Sequence, residues 1–211
     1  MNIPIIPKNA LLLGLFALIG TGILASIQHL SKDKIADNER QQLINKLNLV
    51  IAGDQYDNDI FRDRIYRSHP LLDENNTSTI YRVRFQGEPI ALVLSVTAAD
   101  GYNGEIKLLL CVDVNGVVKG VRPVRHKETP GLGDGIEPKK SDWIYQFANT
   151  SLSNMGKSAW AVKKNGGHFD ALTGATITSR AVIRAVHKGL QYVQMEGSSL
   201  YTVASMGEEI K

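Results

Sequence analysis

The residues best equipped for chemistry lie in one run, Asp170-Ala171-Leu172-Thr173-Gly174-Ala175-Thr176-Ile177-Thr178-Ser179, where hydroxyl side chains gather around a Gly-Ala pair. A hydroxyl can be esterified, so the run reads as a site of covalent modification. Behind it Val182, Val186, Leu190 and Val193 recur at helical spacing, with Arg184, Lys188 and Gln191 off that stripe, which predicts a helix over residues 179–196. The hydroxyls then stand at the helix N-terminus, where unpaired backbone N–H groups and the positive end of the helix dipole would receive a phosphate. Gly174 can take a positive φ and Ala175 is small, so a bulky group can approach the backbone. The competing reading is structural: Thr178 or Ser179 caps the helix and Gly174 ends a preceding strand.

Two further stretches join this one, Gly101-Tyr102-Asn103-Gly104-Glu105-Ile106 and His126-Lys127-Glu128-Thr129-Pro130-Gly131-Leu132-Gly133. In this order the three resemble the motifs of the FMN-binding domains in the Rnf/Rsx electron-transport complex and in the sodium-pumping NADH:quinone reductase. Thr173-Gly174-Ala175-Thr176, with Asp170 upstream, is similar to that family's (Ser/Thr)-Gly-Ala-Thr flavinylation motif, whose final Thr carries FMN through a phosphoester bond. The matching position is Thr176, with Thr178 as the fallback acceptor. The resemblance implies that Thr173, Gly174 and Ala175 belong to the cofactor site, and that Glu128, Pro130, Gly131, Leu132 and Gly133 shape the flavin pocket. Tyr102 either contacts the ring or packs as a core tyrosine.

The length and the single apolar anchor resemble the G subunit of Rnf/Rsx more than the longer C subunit of the sodium pump. What this implies is a membrane-anchored flavoprotein subunit that relays electrons through a covalent FMN inside an ion-translocating complex. Its partners would be the other subunits, a flavin-attaching transferase and membrane lipid, and its main domain would face the periplasm. Two alternatives stand beside this reading: a membrane-tethered ligand-binding or sensor module without covalent flavin, and a C-type subunit of the sodium pump.

Composition narrows the chemistry further. Cys111 is the only cysteine, so neither an intrachain disulfide nor a cysteine-held iron–sulfur cluster is available, and redox work would fall to an organic cofactor. Within Leu108-Leu109-Leu110-Cys111-Val112 it reads as a small buried apolar side chain. A net charge of +3 is too mild to suggest nucleic acid. Gly131-Leu132-Gly133-Asp134-Gly135 lacks the spacing of a dinucleotide fingerprint, and His126 has no partner at metal-ligand spacing. No hydrolase, metalloprotease or phosphate-loop signature is present, so the chain does not read as catalytic alone.

These motifs need a scaffold. Residues 10–27 form an uncharged, apolar run that is long for a secretory signal and predicts one transmembrane helix. Charge alone leans weakly toward a cytoplasmic domain, since Lys32, Lys34 and Arg40 follow the run and only Lys8 precedes it. Residues 32–50 predict a helical stalk and 54–77 mainly loop. Alternation predicts strands from Thr79, turning at Gln86-Gly87-Glu88, then from Pro89 and Ile106, with a tight Asn115-Gly116 hairpin whose turn residues both need positive φ. Ser141-Asp142 predicts a capped helix carrying Trp143, Ile144 and Phe147, and residues 160–162 a further strand. The fold class is therefore α+β: a mostly antiparallel sheet with packed helices, preceded by one N-terminal transmembrane helix. The expected organisation is an anchor at 1–31, stalk and loop at 32–77, an FMN-binding domain at 78–197 and a loose polar tail at 198–211.

Overall fold

A computed structural model describes residues 5–51 and 56–203. The chain divides into two units, Met1–Asn45 and Lys46–Lys211. Helix α1 runs over Ile5–Ile51. Within the first unit, residues Asn9–Ser26 are long and apolar enough to cross a bilayer and are exposed throughout. The hydroxyls in this stretch bond back to their own helix, Thr21 to the Ala17 carbonyl at 2.7 Å and Ser26 to the Gly22 carbonyl at 2.7 Å. No polar hydrogen of theirs is left facing hydrocarbon, which is the condition a spanning helix must meet.

In the second unit, β1 (Arg64–Arg67), β2 (Ser78–Phe85), β3 (Glu88–Gly101), β4 (Gly104–Asp113) and β5 (Val118–Arg125) form an antiparallel meander in the order β1-β2-β3-β4-β5. Helix α2 (Thr176–Glu196) packs on one face, so the architecture is α+β as the pattern of elements implies. The register explains the core. Leu92, Leu94, Val96 and Ala98 of β3 pair with Val112, Leu110, Leu108 and Ile106 of β4, and this face meets Val182, Ile183, Val186 and Leu190 of α2. Gly189 brings the helix close, for a Cβ there would lie 2.6 Å from Leu110 Cδ2. The opposite face, with Val83, Val93, Leu109 and Cys111, is buried too, and Leu47, Val50 and Ile51 at the end of α1 are buried in the same unit. Both faces being covered is why residues 108–112 are continuously apolar instead of alternating.

Several sequence expectations shift. The stretch read as loop contains β1, which pairs with β2 through Arg64–Tyr81 and Ile65–Ile80, so the sheet begins upstream of residue 78. The positive-φ hairpin turn falls at Gln86 and Gly87, at +53° and +82°, between paired Phe85 and Glu88. At Asn115-Gly116 only Gly116 has positive φ. There the loop is organised by Asp113, whose Oδ1 accepts the backbone N–H groups of Asn115 and Val117, both at 2.9 Å. Side-chain bonding to the backbone replaces the two-residue turn.

The Ser141 cap forms, its Oγ accepting the Trp143 N–H at 3.2 Å, but it starts a 3-10 helix, Asp142–Phe147. Residues 160–162 contribute only an isolated parallel bridge, Val162 to Phe169. The expected loose tail is ordered through Val203. Helix α3 (Ser199–Thr202) buries Leu200, and Arg82 and Arg84 donate to the Tyr201 carbonyl at 3.1 and 2.8 Å. Both arginines pair with Asp63, at 2.8 and 2.7 Å. The rest of the tail, residues 204–211, lies outside the described residues.

Candidate functional site

Helix α2 starts at Thr176, three positions earlier than periodicity predicts, because the hydroxyl run is itself the first turn. Ser179 Oγ accepts the Leu172 N–H at 2.9 Å and donates to the Ala175 carbonyl at 3.0 Å, folding the incoming loop onto the helix start. Gly174 supplies the positive φ, +75°, that this loop requires. Neither Thr178 nor Ser179 acts as N-cap. The capping position is Ala175, whose side chain makes no capping bond. Among the described residues the helix start has no side-chain cap, and its positive end can receive an anion.

Thr178 is fully buried and donates its hydroxyl hydrogen to Glu128 Oε2. Glu128, itself only 5% exposed, also accepts the Asn103 N–H on Oε1 at 3.1 Å. Its own N–H donates to His126 Nδ1 at 3.2 Å, and His126 Nε2 reaches Glu137 at 2.9 Å. With Nδ1 accepting, Nε2 is the nitrogen that carries the ring proton, so His126 holds the loop and does not present a ligand. Asn103 Nδ2 closes the arrangement by donating to Thr129 Oγ1 at 3.0 Å.

Around these bonds opens a cleft of about 440 Å³, lined by Tyr102, Glu128, Thr129, Leu132, Gly133, Gly174, Ala175, Thr176, Ile177 and Thr178. Three stretches far apart in the chain meet there. Of the residues singled out by sequence, Tyr102, Glu128, Leu132, Gly133, Gly174, Ala175 and Thr176 come together in the cleft. Thr173, Pro130 and Gly131 lie outside its lining. Thr129 and Ile177 are lining residues to which sequence reasoning gave no role, although both stand inside the quoted stretches, which was the available signal. Asp170 turns its carboxylate to Lys163, at 2.8 Å, while its carbonyl accepts Trp143 Nε1–H at 2.6 Å.

The four hydroxyls now sort by geometry. Thr178 and Ser179 are buried and hydrogen-bonded, and Thr173 stands outside the cleft. Thr176 is half-buried and lines it. Tyr102, Leu132 and Ile177 give the cleft apolar, exposed walls, Tyr102 being 65% exposed. Apolar walls beside an uncapped helix N-terminus suit a flat aromatic ligand that carries a phosphate. FMN has those two parts, and the residues present fit it.

Comparison with known proteins agrees. Residues 101–191 match the family described as FMN-binding domain, and residues 1–50 match the RnfG N-terminal region. Residues 101–191 are thus, by class, an FMN-binding domain. The chain is 40% identical over 195 residues to the G subunit of the ion-translocating oxidoreductase complex of Vibrio atlanticus, covering 92% of this chain and 93% of that protein. It is 45% identical over 186 residues to the G subunit from Pseudomonas aeruginosa, covering 88% and 87%, and 38% identical over 197 residues to the one from Shewanella baltica, covering 93% of each. The chain belongs to the family of G subunits of ion-translocating oxidoreductase complexes.

Proposed function

We propose that this protein is a membrane-anchored flavoprotein subunit of an ion-translocating Rnf/Rsx-type complex, relaying electrons through FMN joined to Thr176 by a phosphoester bond. The observation that carries the reading is the position of Thr176: first residue of an uncapped helix, half-buried and lining the cleft, whereas Thr178, which lines it too, is buried and held by Glu128, and Ser179 is held by the helix backbone. Ester formation joins the Thr176 oxygen to the flavin phosphate with net loss of water. The first-turn N–H groups of α2 would hold the remaining phosphate charge. Tyr102, Leu132 and Ile177 would flank the ring, and Gly133 leaves the room that the Glu128 carboxylate fills. FMN supplies the electron-accepting chemistry when bound; the chain orients it and sets its surroundings. The other subunits of the complex and a flavin-attaching transferase are its partners in this reading.

The test is colour after denaturation. Full-length protein produced with a flavin-attaching transferase is expected to stay yellow in detergent and after unfolding and gel filtration. A protein that loses all flavin on unfolding is a noncovalent binder, and the ester reading falls.

In the same reading Asn9–Ser26 remains attached as the anchor, in contact with membrane lipid, and the flavin domain stands on the periplasmic face of the inner membrane. The family resemblance motivates this orientation against the weak charge bias, because large domains cross regardless of flanking charge. Reporters fused after Lys211 are expected to work only if they fold outside the cytoplasm. Activity confined to a cytoplasmic reporter would reverse the topology.

A further inference from the structure

Glu128 is a buried carboxylate that the proposed relay leaves without a role. Both oxygens are enclosed: a Cβ at Gly101 would lie 2.9 Å from Oε1, and one at Gly133 would lie 2.7 Å from Oε2. The carboxylate therefore occupies room made by two missing side chains, one from the first motif and one from its own. Its hydrogen bonds come from the third and the first, through the Thr178 hydroxyl and the Asn103 N–H. Neighbouring charges are committed elsewhere, His126 to Glu137 and Lys140 to Asp134, while Lys127 sits on the outer side of the loop. None of the ion pairs among the described residues uses Glu128. A buried carboxylate held by neutral donors keeps most of its field, since no cation cancels it and little water screens it.

We propose that Glu128 is the positioning residue of this site, fixing the α2 turn that carries Thr176, and that its charge holds the potential of the bound flavin down. The inference rests on the covalent-flavin reading above. Thr178 is two residues from Thr176 in the same helical turn, so the Glu128–Thr178 bond fixes where the acceptor hydroxyl stands relative to the cleft. Because Glu128 and Thr176 line the same cleft, electrons arriving there do so against a fixed negative charge.

The experiment uses full-length protein in detergent, produced with the transferase, comparing the parent with Glu128→Gln and Thr178→Val. Mass spectrometry establishes the adduct first, and redox titration of the flavin spectrum follows. Glu128→Gln is expected to favour the reduced flavin by about tenfold, the scale of one nearby charge at the effective dielectric of a protein. For a two-electron couple that is about 30 mV more positive. Thr178→Val keeps the charge and removes a donor that offsets it, so its potential is expected to move the opposite way. A Glu128→Gln protein that carries the adduct and titrates with the parent overturns the proposal. If that variant fails to fold, Thr178→Val decides: a more negative potential supports the proposal, and an unchanged one overturns it. A parent protein lacking the adduct overturns the covalent reading, and the inference with it; the mass measured before titration tells that failure apart.

Discussion

Thr176→Ala, produced full-length alongside the transferase, is expected to carry no covalent flavin, its colour after unfolding falling to background. Alanine has the higher helix propensity, so the first turn of α2 survives the change and the loss cannot be put down to a melted helix. No neighbour is placed to substitute. Thr178 is buried against Glu128, Ser179 is buried and bonded to Ala175 and Leu172, and Thr173 stands outside the cleft. The tryptic peptide that begins after Lys164 ends at Arg180 and contains all four hydroxyls, so one mass measurement covers them. In the parent it is expected to gain one FMN less a water, with fragment ions assigning the mass to Thr176. Thr176→Ser keeps an oxygen in nearly the same place and is expected to retain part of the adduct. The same adduct on the Ala variant would move the acceptor elsewhere.

How much of this was legible in the sequence depends on how local each determinant is. The meander strands were readable because alternation and turn residues act over a few positions, as at Tyr81, Val83 and the Gln86-Gly87 turn. Strand β1 was not, since Arg64-Ile65-Tyr66-Arg67 is too short to show a period and exists by pairing with β2. The start of α2 was displaced because a hydroxyl run scores as a cap in sequence, whereas here Ser179 bonds backward inside the first turn. Leu200 fell in the stretch expected to be a loose polar tail, and the two arginines that hold the following carbonyl lie more than a hundred positions away. At the site, the motifs named most of the cleft lining. That Thr178 is tied to Glu128, fifty residues earlier, has no local signature at all.

The glycines of the second motif show the same limit and give the other large effect. By sequence Gly131 and Gly133 were alike, both expected to make room for a ring. A Cβ at Gly131 meets nothing within 4 Å, and that residue needs glycine only for its φ of +79°. A Cβ at Gly133 would lie 2.7 Å from Glu128 Oε2, 2.9 Å from Glu128 Cβ and 3.0 Å from Thr178 Oγ1. Gly133→Ala is therefore expected to push the carboxylate off its donors, combining overpacking with broken buried hydrogen bonds, about 2–4 kcal/mol together. Gly131→Ala is expected to cost about 1–2 kcal/mol from backbone strain alone. For a chain of this size the difference is a gap of roughly 5 °C in thermal midpoint, measured on the two proteins in the same detergent. Equal midpoints, or the reverse order, would mean that the Glu128 carboxylate has slack the packing does not suggest.

Cys111 sits in β4 at 1% exposure, and burial pushes its thiol up to about 12. At pH 8 the reactive thiolate is then scarce, and the residue that carries it is buried. Maleimide and spin-label reagents should pass the native protein by. A cysteine introduced at an exposed position such as Tyr102 or Leu132 would be the sole labelled atom, without first removing Cys111 from a packed sheet. Distances between the rim of the cleft and neighbouring subunits thereby become open to spectroscopy on a protein whose interior has not been altered.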